Sequence, residues 1–296
     1  MNARARYQEI RCRTALNRVE GMGFRWSLNP YRGCVHSCHY CFARRYHAFL
    51  DLSAGEDFSG IVFVKVNIPQ VLRWEVWSPT WRKEEVVIGT ATDPYQPIEG
   101  KYRLTRSCLE VLCQVANPMS LVTKGTMVVR DTDVLADLSR RAGCSVCISV
   151  PTLDTAIWRR MEPGTPPPQK RLWAVERLAQ AGVRAGVLIA PIVPGLTDGP
   201  FQLAQVVRAA KEHGASFVGA SLLRLQSGVR EHFLQWLGGE FPHLRPIYQR
   251  LYTGAYVPWR FQSAVLARVE GLKQRYGLAE RPQPGASAPR QLAFAL

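Results

Sequence analysis

The sequence lacks a long apolar run. Its longest one, VLIAPIVPGL from Val187 to Leu196, is shorter than the roughly 20 residues that a membrane-spanning helix requires. The N-terminal MNARARYQEIRCR carries charges without the apolar segment of a secretory signal. We therefore expect no membrane segment and a cytoplasmic location, with a hydrophobic content of 47% forming a globular core.

Acidic residues are also scarce relative to basic ones. The chain has 23 Asp and Glu against 38 Lys and Arg, a formal charge of +15. Such an excess favours a polyanionic partner such as DNA or RNA, because clustered cations bind phosphates through counterion release. An arginine-rich genome or a heat-adapted surface explains it equally well, since the arginines are dispersed and form only short clusters, such as Arg140–Arg141, Arg159–Arg160 and Lys170–Arg171.

The chain has eight cysteines, and none follows Cys147. Because thiols stay reduced in the cytosol, these cysteines are better interpreted as metal ligands, catalytic groups or core residues than as disulfides. Cys144 and Cys147 in CSVC have the spacing of a redox or metal motif. On a strand, however, an offset of three directs the two side chains to opposite faces, so we predict core packing for both, as for Cys108 on an apolar helical stripe.

The fold class follows from a repeated order of β-branched run, loop and amphipathic helix. Six strands are predicted, at FRWSLN from Phe24, EVVIGTA from Glu85, MSLVTK from Met119, CSVCISV from Cys144, VRAGVLIAP from Val183 and ASFVGASLL from Ala215. Between them, Asp131 or Thr132 is expected to cap a helix that ends at Gly143, and Gly182 and Gly214 to end two more. These βα units predict an α/β protein with a partial (β/α)6 TIM-like barrel.

The regions outside this repeat complete the predicted domain organisation. Residues 1–23 are predicted to form an N-terminal arm and residues 24–227 the partial barrel. Residues 228–278 are predicted to form a helical and aromatic C-terminal extension, and residues 279–296 a mobile tail, because their Pro, Ala and Gln content offers little to bury.

The stretch YRGCVHSCHYCFARRY, Tyr31–Tyr46, places Cys34, Cys38 and Cys41 in the loop after the first strand. Such barrels build their active sites at this face. Three thiolates can hold three irons of a 4Fe-4S cluster and leave the fourth iron open, whereas structural zinc normally takes four protein ligands. His36 or His39 could complete a zinc site. The alternative prediction is therefore a zinc-containing nucleic-acid-binding protein without catalysis.

The cysteine spacing, with Tyr40 before the last cysteine, resembles the motif of the radical S-adenosylmethionine (SAM) superfamily. The strings SLNPYRGCVHSCHYCFAR, GTATDPYQPIE, LVTKG and VVRD resemble its spore photoproduct lyase-related branch, also labelled DNA repair photolyase-like, over Phe24 to Leu223. The resemblance implies a radical SAM barrel with a 4Fe-4S cluster on Cys34, Cys38 and Cys41. It also implies reductive cleavage of SAM to methionine and a 5′-deoxyadenosyl radical, which abstracts hydrogen from a substrate, with a flavodoxin or ferredoxin as electron donor.

The resemblance also implies roles for single residues. Tyr40 is expected to pack by the adenine, and Lys124, Thr92 and Ser149 to contact the methionine carboxylate. Lys124 could instead be a solvated strand end, and the two hydroxyls could satisfy local backbone groups.

The polar loop ATDPYQPIE is the least ordinary stretch after the cysteines. We predict cofactor or substrate contacts from this loop, by Asp93, Tyr95, Gln96 and Glu99. Two departures weaken dimer repair by the lyase route: Thr90 stands where the lyase has a hydrogen-donating cysteine, and Phe42 where it has a tyrosine. The substrate therefore stays open; nucleic acid, peptide and small molecule are all compatible with the sequence.

Overall fold

The computed structural model describes residues 5–278, except the side chains of residues 48 and 49. The predicted tail at residues 279–296 lies outside the described residues. Ten strands are found in this range: β1 (Arg6–Ile10), β2 (Leu16–Arg18), β3 (Trp26–Leu28), β4 (Tyr31–Arg32), β5 (Ile61–Lys65), β6 (Val86–Ile88), β7 (Met119–Thr123), β8 (Cys144–Ser149), β9 (Arg184–Ile192) and β10 (Phe217–Leu222).

The helices connect these strands or follow the last of them. They are α1 (Glu56–Gly60), α2 (Ile68–Val76), α3 (Glu99–Tyr102), α4 (Leu104–Gln114), α5 (Thr132–Arg141), α6 (Thr155–Met161), α7 (Pro168–Gln180), α8 (Pro200–Glu212), α9 (Val229–Glu240), α10 (Arg245–Leu251) and α11 (Trp259–Arg275). Short 3-10 helices span Phe42–Leu50, Thr126–Asp131 and Pro242–Leu244. None of the helices within residues 5–278 is both long enough and apolar enough to cross a bilayer.

The main sheet has the strand order β10-β9-β8-β7-β6-β3-β2. The six strands from β3 to β10 in this sheet run parallel, and β2 pairs antiparallel with β3 at one edge. β10 and β2 are the two ends of this order, so the sheet does not close on itself. The six predicted strands and the partial (β/α)6 barrel are thereby confirmed.

The parallel strands could be predicted from the sequence because both of their faces are buried. In β9 every residue after Arg184 is buried, as expected for a parallel sheet with side chains inside and helices outside. Glycines with positive φ follow the ends of α5, α7 and α8, at Gly143, Gly182 and Gly214, as predicted. Cys144 packs in the main core, whereas Cys147 faces a separate cluster with Leu188, Ala190 and Phe217, so the two thiols lie on opposite faces.

The cap of α5 stands at one of the two predicted residues but does not make the predicted capping bond. Asp131 stands at the start of α5, but its side chain makes no capping bond and binds Arg106 and Arg130 instead. The hydroxyl of Thr132 donates to the Val129 carbonyl. The two partly buried arginines bind the buried carboxylate in place of the helix N-terminus, because each provides a full positive charge as well as N–H donors.

The N-terminal region, predicted as an arm outside the βα repeat, contributes strands to both sheets. β1 pairs in parallel with β5, and together with β4 these strands form a second, three-stranded sheet. β2 extends the main sheet. The sequence did not indicate these strands because their residues are mostly exposed and lack an apolar period, and because the partners of β1 lie far along the chain.

The C-terminal extension contains the helices α9, α10 and α11. Two of its aromatic side chains, Tyr248 and Tyr252, are fully buried and stack at 5.3 Å. Their hydroxyls donate to the carbonyls of Pro194 and Leu223, just beyond β9 and β10. The extension is therefore bonded to the carboxyl edge of the barrel.

Candidate active site

A cavity of about 140 Å³ lies at the carboxyl end of the parallel strands. Five neighbouring strands contribute to its wall, through Thr90 after β6, Lys124 after β7, Ser149 in β8, Ala190 in β9 and Leu222 in β10. Barrel enzymes build their active sites at this end.

All three motif cysteines, Cys34, Cys38 and Cys41, line this cavity. Within the described residues, no group of three or more His, Cys, Asp or Glu side chains has the arrangement of a metal-ion site. A zinc ion needs its sulfur ligands at about 2.3 Å from one point, whereas a 4Fe-4S cluster takes each thiolate on a different iron. Three cysteine thiols around one cavity are the donor set that a 4Fe-4S cluster takes, whereas zinc would need a fourth ligand beside them.

The Cys34 and Cys38 thiols are unsuited to act as free nucleophiles. Burial raises the pKa of the Cys38 thiol to about 12 and that of Cys34 well above its usual range. A thiol in such surroundings is protonated and inert at neutral pH, whereas coordination to a metal deprotonates it. This donor set suits metal ligation rather than covalent catalysis.

Gly33 begins the cysteine loop in a backbone conformation that favours glycine. Its φ is +81°, and a Cβ there would lie 2.5 Å from the Ile61 carbonyl oxygen. The Gly33 carbonyl accepts hydrogen bonds from Thr92 Oγ1 at 2.7 Å and Gln96 Nε2 at 3.1 Å. The Oε1 of Gln96 in turn accepts from the Val35 amide at 3.2 Å. The loop after β6 thus holds the start of the cysteine loop.

Replacing Gly33 by Ala should destabilise the protein by about 3 kcal/mol, since positive φ and a backbone clash combine. Gly21→Ala is the matched control: its φ is +74°, but nothing lies within 4 Å of a Cβ there, so about 1 kcal/mol is expected. Urea unfolding of the iron-free proteins measures both. Equal losses would show that the close approach to Ile61 is unimportant.

Arg44, three residues after the last cysteine, braces the loop from its other side. Its buried guanidinium donates to the carbonyls of Cys38 (2.9 Å), Ser37 (3.0 Å), Ala54 (2.9 Å) and Gly55 (2.8 Å). Burial lowers the pKa of Arg44, and the charges of the nearby cysteine thiolates oppose this effect. The sequence marked this residue only by its closeness to the motif.

A second buried network lies beyond Tyr40, which lines the cavity. The Tyr40 hydroxyl donates to Glu162, which is also ion-paired with Arg171. Burial raises the pKa of Glu162, but Arg171 and Lys124 outweigh it and lower the pKa. Arg171 also donates to the Ser149 carbonyl at 2.9 Å. Arg171, in the short basic cluster Lys170–Arg171, is fully buried and so does not contribute to a basic surface.

Lys124 lines the same cavity, with its Nζ 5.5 Å from the centre of the Tyr40 ring. Burial opposes its charge, yet the pKa is raised, because Cys38, when it is deprotonated, and Glu162 favour the ammonium form. Lys124 is therefore a cation of the cavity wall, available to an anionic group beside the cysteines.

Of the four polar candidates in the loop after β6, one reaches the cavity. Asp93 lines it and accepts hydrogen bonds from Thr123 Oγ1 at 2.5 Å and the Lys124 amide at 2.7 Å. Its carboxylate also lies 3.2 Å from His36 Nδ1. Burial raises the pKa of Asp93, but the charge of His36 and these hydrogen bonds outweigh it and hold the pKa below its usual value. Asp93 thus orients the backbone that carries Lys124.

The other three candidates are buried beneath the loop and do not line the cavity. Gln96 holds the cysteine loop, as described above. Tyr95 donates to Asp131 at 3.0 Å, and Glu99 pairs with Arg130 at 2.8 Å. α3 begins at Glu99, and the turn that leads into it directs these side chains into the protein. Three of the four side chains that were predicted to contact a ligand therefore bind other parts of the protein instead.

The hydroxyls of Thr92 and Ser149 line the cavity but are engaged locally. Thr92 donates to Gly33, and Ser149 Oγ donates to the Ala190 carbonyl at 3.0 Å. A hydroxyl has one proton to donate and a carboxylate only accepts, so contact with a carboxylate would require these hydroxyls to rotate. In this structure they satisfy backbone groups, the alternative that the sequence left open.

The two histidines of the motif, His36 and His39, lie in different surroundings. His36 lines the cavity beside Asp93, whereas the ring of His39 stacks on Trp236 at 5.0 Å and on His232 at 5.4 Å. His39 therefore packs against α9 and does not join the cysteines. Thr90 and Phe42, the two departures from the lyase pattern, both line the cavity.

Comparison with known proteins agrees with this geometry. A family model described as the Radical SAM superfamily matches residues 28–205. Proteins of Mycobacterium bovis and Mycobacterium tuberculosis, described as uncharacterized, are 39% identical over 284 residues, which cover 94% of this chain and 84% of theirs. A radical SAM Nalpha-GlyT isomerase of Pseudomonas phage M6 is 23% identical over 168 residues, 56% of this chain and 33% of that protein.

Solved structures show the same fold. Spore photoproduct lyase complexed with dinucleoside spore photoproduct superposes with a TM-score of 0.69 at 15% identity, covering 91% of this chain and 79% of that one. A mutant of the lyase with bound AdoMet and the same dinucleoside also has a TM-score of 0.69, covering 90% and 78%.

Proposed function

We propose, on the premise that this chain belongs to the radical SAM superfamily, that Cys34, Cys38 and Cys41 hold the 4Fe-4S cluster that the superfamily uses with SAM. The observation that carries the proposal is that these three thiols line one cavity at the carboxyl end of the strands, together with Tyr40 and Lys124. The proposed activity is reductive cleavage of SAM, followed by hydrogen abstraction from a substrate.

When bound, cluster and SAM supply the one-electron cleavage that yields methionine and a 5′-deoxyadenosyl radical. The chain binds and orients SAM and the substrate, and it excludes water from them. The ammonium of Lys124 suits the methionine carboxylate, and the Tyr40 ring, held by Glu162, offers an apolar face for the adenine. The apolar wall, with Phe24, Val122 and Leu188, keeps water from a reactive radical.

Replacing Lys124 by Gln should raise the KM for SAM at least about tenfold, because a charge-assisted contact worth about 1.4 kcal/mol or more is lost. Iron content should be unchanged. Formation of 5′-deoxyadenosine with dithionite, measured against SAM concentration, gives the KM. Lys101→Gln, an exposed lysine on α3, is the control and should match the parent protein. A KM within about twofold of the parent would remove Lys124 from the SAM site.

For the substrate we propose a nucleic acid. The formal charge of +15 supports attraction of a polyanion. At the cavity wall, the guanidinium of Arg224 lies 4.9 Å from the Tyr256 ring, which is half exposed. Trp259, at the start of α11, is 72% exposed. Nucleic-acid bases stack on exposed aromatic rings, and phosphates bind to arginine side chains.

Repair of a dimer by the lyase route is not part of the proposal. Thr90 cannot donate a hydrogen atom as a thiol does, and Phe42 carries no phenol. We place the reaction in the reducing cytosol, where the eight free cysteines and an iron-sulfur cluster persist, with a flavodoxin or ferredoxin as the electron donor.

An anaerobic assay tests both the proposed cleavage of SAM and the proposed nucleic-acid substrate. The protein is reconstituted with iron and sulfide, its visible spectrum and iron content are recorded, and 5′-deoxyadenosine is measured after adding dithionite and SAM. A brown protein with about four irons that forms 5′-deoxyadenosine is expected. Adding single-stranded or duplex DNA, or RNA, should accelerate cleavage, and the acceleration should weaken with salt. A colourless zinc protein without product would favour the alternative of a binding protein.

A further inference from the structure

Arg44 differs from the other buried cations near the cysteines in how its charge is balanced. Arg171 is paired with the Glu162 carboxylate. The hydrogen-bond acceptors of Arg44 in residues 5–278 are four backbone carbonyls and, at 3.5 Å, the Ser37 hydroxyl. Its guanidinium also lies 5.0 Å from the ring of buried Phe58. Arg44 is thus held by dipoles, and no carboxylate in that part of the chain neutralises it.

A buried positive charge of this kind favours a negative charge nearby, because both are poorly solvated. Arg44 binds the carbonyl of Cys38 directly and its amide donates to the carbonyl of Cys41 at 3.2 Å. A cubane on three thiolates carries negative charge that increases on reduction, and such charge is one determinant of the reduction potential. A fixed cation at this place therefore stabilises the reduced form more than the oxidised form.

We propose that Arg44 is a positioning residue with two effects: its planar fork holds the cysteine loop in shape, and its charge makes the cluster easier to reduce. The inference rests on the proposed function, because it concerns a cluster on Cys34, Cys38 and Cys41. It adds a residue outside the cavity wall that sets how readily the cluster accepts the electron that starts the reaction.

Redox titration of the reconstituted proteins, followed by electron paramagnetic resonance of the reduced cluster, measures the effect. In Arg44→Gln the equilibrium constant for one-electron reduction should fall at least about tenfold, a shift of about 59 mV to more negative potential. Arg44→Lys retains the charge and should stay within about threefold of the parent protein.

Arg45→Gln is the matched control, since it removes the same charge one residue later. Arg45 is only partly buried and binds Gln226. Solvent screens a charge in that position, so its reduction constant should also stay within about threefold. Thermal melts of the iron-free variants report the shape effect separately: both Arg44 variants should melt below the parent, because Lys cannot serve four carbonyls with the same geometry.

Each outcome decides the proposal. A potential in Arg44→Gln equal to that of Arg45→Gln would overturn it and leave Arg44 a purely structural brace. If Arg44→Gln takes up no cluster, Arg44→Lys decides: loading at the parent potential supports the role of charge, and failure to load overturns it. A parent protein that binds no iron would instead overturn the proposed function, so the two failures are distinguishable.

Discussion

Replacing Cys38 by Ala is expected to abolish cluster binding and SAM cleavage while the barrel stays folded. Two thiolates cannot anchor a cluster that the family holds with three, so iron content should fall to background and 5′-deoxyadenosine formation by at least about a hundredfold. The substitution removes one small buried side chain, which costs about 1 kcal/mol. Iron analysis, the visible spectrum, product assay and circular dichroism measure these effects.

Cys113→Ser is the control for loss of a thiol elsewhere. Cys113 lies on α4, outside the cavity, and its thiol donates to Asp137 at 3.0 Å, a bond that a serine hydroxyl can also make. Iron content and cleavage should remain within about twofold of the parent protein. If Cys38→Ala kept half of the activity, the assignment of the cysteine loop to the cluster would be wrong.

Replacing Glu162 by Ala should produce the largest loss of stability. Arg171 is fully buried, and without Glu162 its charge has no counterion, which costs about 3–5 kcal/mol. The Tyr40 hydroxyl loses its acceptor as well. The neighbouring Met161 carbonyl accepts from the His39 amide at 3.1 Å, so the disturbance should reach the cysteine loop. The free energy of unfolding in urea, measured on the iron-free protein, tests this.

Two further variants separate the buried charge from simple deletion of a carboxylate. Glu240→Ala breaks an exposed ion pair with Arg160 at 3.6 Å and should change stability by less than about 1 kcal/mol. Glu162→Ala combined with Arg171→Met should be more stable than Glu162→Ala alone, since the unpaired charge is removed. Similar losses for Glu162→Ala and Glu240→Ala would show that Arg171 finds another counterion.

Features that depend on neighbouring residues could be predicted from the sequence, whereas pairings between distant residues could not. The six parallel strands were predictable because each is a short apolar run, and three of them follow helices that end at glycine, a pattern contained in neighbouring residues. The cysteine spacing likewise predicted three thiols in one loop at the carboxyl edge. Lys124 was placed at a strand end, and it lines the cavity there.

For the loop after β6, the sequence did not predict which side chains line the cavity. Asp93, Tyr95, Gln96 and Glu99 are equally polar in the sequence, yet only Asp93 lines the cavity. Their directions depend on the turn into α3 and on partners such as Asp131 and Arg130, which lie more than 30 residues away. A polar residue in a loop thus indicates neither a ligand contact nor a buried scaffold bond by itself.

By itself, the amino-acid sequence determined the barrel class, the positions of the six parallel strands of the main sheet and the cysteine loop, because periodicity and spacing are local properties of the chain. Only the tertiary structure decided that Arg44 and Arg171 are buried and that residues 6–10 and 16–18 join the sheets. The physical reason is that a charged side chain is stable in the interior only when distant residues supply its partners. Neither burial nor those partners can be recognised in the neighbouring sequence.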